Sequence, residues 1–87
     1  MQLARFLNKL FKKDGFILID AHLKKYIIGK PESKNPIILK ILDKKLHYKL
    51  LLRPDLYFGE AYSNGEVIIE NGTLTEFLDL ALMNIGR

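Results

Sequence analysis

Residues 54–65, Pro-Asp-Leu-Tyr-Phe-Gly-Glu-Ala-Tyr-Ser-Asn-Gly, constrain the fold more than any other stretch of the chain. Pro54 is pre-set for the first turn of a helix, where its missing N–H would have found no helical partner anyway. Asn64-Gly65 supplies the left-handed residue on which helices commonly stop. Between them sits Gly59, which costs a helix about 1 kcal/mol relative to Ala. The simplest reason to keep it is a backbone or helix packed too close for a Cβ, so a close approach is predicted at Gly59.

Hydrophobic spacing fills in the rest. Over residues 2–13, Leu3, Phe6, Leu7, Leu10 and Phe11 form one helical stripe, with Arg5, Lys9, Lys12 and Lys13 on the other side. Such a helix either lies in a membrane interface, lysines against anionic headgroups, or packs its stripe on a sheet. Asp14-Gly15 ends it. Residues 16–20 and 24–28 read as hairpin strands joined by Ala21-His22-Leu23, and residues 37–42 as a third strand with Ile37, Leu39 and Ile41 on one face. Pro31 and Pro36 keep the segment between them out of any ladder. Asp43 is the expected N-cap of a well-buried helix over 44–53, and a short strand over 66–70 follows the 54–65 helix. Thr73 and Glu76 form a capping box for a last helix with Leu74, Phe77, Leu78, Ala81, Leu82 and Ile85 as its apolar stripe and Asn84 and Gly86 at its end. The order α-β-β-β-α-α-β-α predicts a single α+β domain, a small and mainly antiparallel sheet of three to four strands covered by about four helices.

Charge is unevenly placed. Residues 1–49 hold twelve Lys and Arg against four Asp and Glu, whereas residues 50–87 hold two against six. The basic half suits the phosphates of lipid or nucleic acid, or is a solvated lysine-rich surface. The lack of cysteine excludes disulfides and thiolate metal sites and fits a reducing cytoplasm. No apolar run nears the ~20 residues of a bilayer span, and Arg5, Asn8 and Lys9 interrupt the N-terminus too early for a signal peptide. A cytoplasmic chain, peripheral to the inner face of the membrane, is the expectation.

Reactive constellations are missing from the pattern. The glycines, at 15, 29, 59, 65, 72 and 86, make no Gly-x-Gly phosphate cradle. His22 and His47 lack a cysteine or carboxylate cluster and read as surface or half-buried residues. Ser33 and Ser63 lie in no nucleophile elbow. Glu60, among Tyr57, Phe58 and Tyr62, would rise in pKa if buried, with pairing or exposure the plainer reading. Tyr57 and Tyr62 fall in the acidic half, away from the lysines, which argues against stacking on nucleobases. No catalytic, cofactor-binding or metal residue is assigned, and nucleic acid is not an expected partner.

Taken in order, these pieces resemble the N-terminal domain of cyclopropane-fatty-acyl-phospholipid synthases and the related mycolic-acid cyclopropane synthases. Gly59-Glu60-Ala61-Tyr62-Ser63-Asn64-Gly65 is similar to the family's Gly-Glu-Ala-Tyr followed by a small loop and Gly. Leu50 to Leu56 resembles its leucine-rich helix and Pro-Asp-Leu lead-in, Leu74 to Asn84 its closing helix, and Ile19-Asp20-Ala21 through Ile28-Gly29 its early hairpin. Where many relatives carry Asp-Gly at the hairpin turn, this chain has His22-Leu23; leucine is poor at positive φ, so a different or longer turn is expected. The resemblance implies a parent enzyme that transfers a methylene from S-adenosylmethionine to the double bond of a phospholipid acyl chain. Its catalytic and cofactor residues would lie in a methyltransferase domain beyond Arg87. Implied partners of the 1–87 domain are that catalytic domain, through Gly59, Glu60, Ala61, Tyr62 and Gly65, and an anionic phospholipid surface. Arg5, Lys9, Lys12, Lys13, Phe6 and Phe11 are the expected lipid-facing set. A purely structural docking or homodimerisation module is the main alternative, and a small basic nucleic-acid binder a weaker one.

Overall fold

The computed structural model describes residues 1–85, the side chain of Asp55 excepted. The elements are α1 (Gln2–Leu10), β1 (Gly15–Ile19), β2 (Lys25–Gly29), β3 (Ile38–Ile41), α2 (Leu46–Leu52), α3 (Pro54–Ser63), β4 (Val67–Asn71) and α4 (Leu74–Asn84), in the expected α+β order. The four strands form one sheet in the order β2-β1-β3-β4. β1 pairs antiparallel with β2 and β3 with β4, but β1 and β3 run parallel, so the sheet is mixed. The parallel pair needs no helical crossover. β2 returns to the level of Gly15, and the proline-bearing loop that follows steps across the end of β1 to start β3. Asp14, at φ 63°, organises that step: its Oδ1 accepts the amides of Gly15 (2.8 Å) and Glu32 (2.9 Å), and its carbonyl accepts that of Lys30 (3.2 Å).

Alternation divides the strands into two faces. Phe16, Leu18, Ile28, Leu39, Ile41 and Val67 point to one side, where they join Leu3, Leu7, Phe11, Leu46, Leu50, Ala61, Phe77 and Leu80 in a single core. All four helices feed this face. The opposite face carries Ile17, Ile19, Ile27, Ile38 and Ile68 with Lys25, Lys40 and Glu70, and none of these belongs to the core cluster. An antiparallel pair with one wet face ordinarily shows polar residues there, so the exposed Ile27 and Ile68 are out of pattern, whereas Ile17 and Ile38 are half-buried and Ile19 is buried.

The glycine expectation is overturned. Gly59 is exposed, and nothing lies within 4 Å of where its Cβ would be. The close approach is instead between Gly15 and Gly29, paired across β1 and β2. A Cβ on Gly15 would run into the Ile28 carbonyl oxygen, and Gly29, at φ 69°, would place one 2.5 Å from the Asp14 carbonyl oxygen. The rest of the 54–65 reading holds. α3 begins at Pro54 and ends in a Schellman arrangement, with Gly65 at φ 75°, its N–H on the Tyr62 carbonyl and the Glu66 N–H on that of Ala61.

Other boundaries shift for visible reasons. α1 stops at Leu10, not at residue 13, because Phe11 turns extended to sink its ring against Phe16, 5.0 Å away. Lys13 is then held by Asn84, whose side chain accepts its N–H and donates to its carbonyl, both at 2.7 Å. Asp43 accepts the Lys45 amide at 3.0 Å, but α2 starts only at Leu46, with Lys45 in the N-cap position. That helix buries Leu46 and Leu50 while leaving Tyr48 and Leu52 exposed, so it is less buried than predicted. In α4 the capping box forms as expected, Thr73 Oγ1 accepting the Glu76 amide at 3.1 Å and Glu76 Oε1 the Thr73 amide at 2.9 Å. Its buried residues, however, are Phe77 and Leu80, whereas Leu78, Leu82 and Ile85 lie exposed. Gly86 lies outside the described residues.

Two glycine substitutions should move stability in opposite directions. Gly59→Ala is expected to raise unfolding free energy by about 0.5–1 kcal/mol, since it adds helix propensity without a clash. Gly15→Ala is expected to lower it by about 1–3 kcal/mol, as backbone must shift to admit the methyl. Urea denaturation of both variants checks this; a destabilising Gly59→Ala would mean that the helix is packed on that side after all.

Candidate functional site

Two regions concentrate the chain's unusual features. The first is the end of the sheet at the β1–β2 turn. Asp20 is the pivot, only 5% exposed. Its Oδ1 accepts the amides of His22 and Lys24, each at 2.9 Å, and its Oδ2 accepts the Tyr26 hydroxyl at 3.1 Å. The Leu23 amide meets the Asp20 carbonyl at 2.9 Å, and the Asp20 amide meets that of Lys24 at 3.0 Å. These bonds close a three-residue loop, longer than an Asp-Gly turn as expected, yet Leu23 still adopts φ 66°. That left-handed conformation costs a leucine roughly 1 kcal/mol, and the Asp20 bonds offset it. Lys24 Nζ lies 5.6 Å from the Tyr26 ring centre, a cation–π contact.

The electrostatics follow from this geometry. Burial works against the Asp20 carboxylate, but the hydrogen bonds from Lys24, His22 and Tyr26 outweigh it and hold its pKa below the usual value. Burial and the Asp20 carboxylate raise the Tyr26 hydroxyl. On α2, burial lowers the His47 pKa; His22 pushes the same way, while Asp20 and Asp43 oppose. His47 Nε2 is buried with no hydrogen-bond partner.

The second region is the Gly59–Gly65 segment of α3. Gly59, Glu60, Tyr62 and Gly65 are exposed, and Ala61 is buried between α3 and the sheet. Glu60 is thus not enclosed by its aromatic neighbours. Phe58 instead points inward, its ring 5.0 Å from Phe77 and 6.4 Å from Tyr62. The exposed Gly59 leaves a bare stretch of helix backbone beside Leu56.

The expected lipid-facing set divides. Arg5, Lys9, Lys12 and Lys13 are exposed. Phe6 is half-buried against the core, and Phe11 is 3% exposed within it, so in this fold Phe11 is no surface residue. The stripe of α1 packs on the core, and the exposed residues of the helix, Gln2, Arg5, Asn8 and Lys9, are polar or cationic. The space between α1 and the sheet is filled by Leu3, Leu7, Phe11, Phe16 and Ile28. The α1 cations and the Gly59–Gly65 segment belong to separate elements, α1 and α3. Sequence reasoning misses the hairpin tip as a site, although Leu23 between His22 and Lys24, where a turn favours glycine, is its signal. It also misses the isoleucine face, because such short strands reveal their inward residues first.

Among the described residues no three His, Cys, Asp or Glu side chains converge to hold a metal ion, and no helix is long and apolar enough to cross a membrane. Compared with known proteins, the chain matches no family model and no curated protein.

The pKa directions give a pH signature. Histidine with a depressed folded pKa contributes fully above its unfolded value, near 6.5, and loses that contribution as pH falls through the folded value. Asp20 behaves the same way at lower pH, its contribution present above about 3.8 and lost on further acidification. Urea midpoints should therefore fall between pH 7 and about pH 5, and His47→Leu should flatten that limb while leaving the more acidic one. An unchanged limb in the variant would show that His47 does not titrate with unfolding.

Proposed function

We propose that this chain is an accessory domain of a cyclopropane-fatty-acyl-phospholipid synthase, engaging anionic phospholipid and docking on a catalytic methyltransferase domain that binds S-adenosylmethionine. The observation that carries this reading is the ordered set of sequence pieces, from Ile19-Asp20-Ala21 to Asn84, with Gly59-Glu60-Ala61-Tyr62 at its centre. Two structural features support it. The cations of α1 and of the β1–β2 turn are exposed, where each lysine near an anionic surface is worth about 1 kcal/mol before salt screens it. The exposed helix backbone at Gly59 has no use within the described residues and suits the close approach of another body. The domain itself then does no chemistry. It holds the enzyme at the membrane surface where acyl chains are found.

A second reading, a structural docking or dimerisation module, is favoured by the exposed apolar residues. Leu78, Leu82 and Ile85 line the outer side of the last helix and its end, Leu52 and Leu56 stand out near the α2–α3 junction, and Ile27 and Ile68 are exposed on the outer face of the sheet. Sedimentation separates the two readings. The lipid reading predicts that the chain pellets with phosphatidylglycerol vesicles at low ionic strength and is released as salt rises. No pelleting at low salt would remove it. A strict monomer that ignores an added catalytic domain would remove the docking reading.

A further inference from the structure

Leu23 stands at the tip of the β1–β2 hairpin in a conformation leucine avoids, and it is 67% exposed. Ile27, on the outer face of the same hairpin, is also 67% exposed. Neither contributes to the core. Folding therefore gains little from two large aliphatic side chains on one projecting element, and at Leu23 it accepts backbone strain to keep one there.

The fully exposed charge beside them is positive. At the tip end of the hairpin the cations are Lys24 and Lys25, both exposed, while Lys30 lies at its far end beside Asp14. The one carboxylate of the hairpin, Asp20, is turned inward and occupied by the His22 and Lys24 amides and the Tyr26 hydroxyl. Because β1 and β3 run parallel, Leu42, Lys44 and Lys45 emerge at the same end as Leu23, with Leu42 exposed. The carboxylates there, Asp43 and Glu66, are half-buried, and Asp43 is bonded to the Lys45 amide. Exposed aliphatics among cations complement the acyl boundary and anionic headgroups of a bilayer together. The helix α1, whose apolar stripe is used in the core, offers polar and cationic residues alone.

We propose that the tip and outer face of the β1–β2 hairpin, led by Leu23 and Ile27 and flanked by Lys24 and Lys25, seat on an anionic phospholipid bilayer and are the chain's principal membrane contact. This rests on the lipid-engaging reading above. The test is co-sedimentation of the 87-residue chain with phosphatidylcholine vesicles, with and without phosphatidylglycerol, at low salt. Leu23→Gly combined with Ile27→Thr is expected to lower partitioning to the anionic vesicles roughly tenfold or more. Its thermal midpoint should hold, since glycine relieves the turn and threonine suits a strand. Arg5→Gln with Lys9→Gln is expected to lower partitioning less. The chain has no tryptophan, so Leu23→Trp supplies a single probe whose emission should shift to the blue on anionic but not on neutral vesicles. Partitioning of the hairpin variant within twofold of the parent, or an unshifted indole emission from the bound Leu23→Trp protein, would overturn the hairpin assignment while the lipid reading stands. If the parent chain binds no vesicle at all, that reading falls. If the hairpin substitutions abolish self-association but leave vesicle binding intact, the tip is a contact between copies and the proposal is overturned.

Discussion

The ring of Phe16 is the point on which the fold turns. It is fully buried on the central strand β1, with the Phe11 ring 5.0 Å away on one side and Phe77 5.2 Å away on the other, both edge-on. Phe77 in turn meets Phe58 of α3 at 5.0 Å. Four rings from the two ends and the middle of the chain thus share one contact line, and edge-on pairs of this kind add about 0.5–1.5 kcal/mol each beyond their burial. For a domain of this size, whose total stability is about 5 kcal/mol, such contacts are a large share of what places the helices they join. They hold the end of α1 together with α3 and α4 on the face that Phe16 presents, which α2 joins through Leu46 and Leu50.

What remains is a sheet roofed on one side. The other face carries isoleucines, of which Ile27 and Ile68 are exposed, and the β1–β2 hairpin, anchored through the Gly15–Gly29 pair and the Asp20 hydrogen bonds, ends the sheet at β2, whose core side packs on α1. Asn8 partly guards that edge, its side-chain oxygen accepting the Gly29 amide at 2.8 Å. The covered face supplies stability, and under the proposed reading the exposed hairpin is the part that a bilayer would meet. The second half of the chain, mostly on α3, β4 and α4, is acidic and the first half basic, so the field of the molecule changes sign along the chain.

Much of the architecture is legible in the sequence because periodicity and capping are local. The order of elements, the Pro54 start, the Gly65 stop and the Thr73–Glu76 box need only a few neighbouring residues each. What is not legible depends on contacts between distant ones. Spacing alone allows α4 to bury Leu78 and Leu82; the Phe77 contacts with Phe16 and Phe58 rotate it so that Leu80 is buried instead. The propensity cost of Gly59 is real in sequence, but it does not say whether the neighbour that demands it lies within the chain. Leucine's aversion to positive φ suggests another turn, and the buried carboxylate of Asp20 outweighs it. Phe11 reads as a surface residue because its place on a helical stripe does not reveal that the helix ends before it.

Amide hydrogen exchange, followed along the chain with and without phosphatidylglycerol vesicles, tests the central claim most directly. The account predicts that the vesicles slow exchange around residues 21–28, at the tip and outer edge of the hairpin, and leave α1 as it was. Slowing confined to residues 2–13, with the hairpin unchanged, would contradict it.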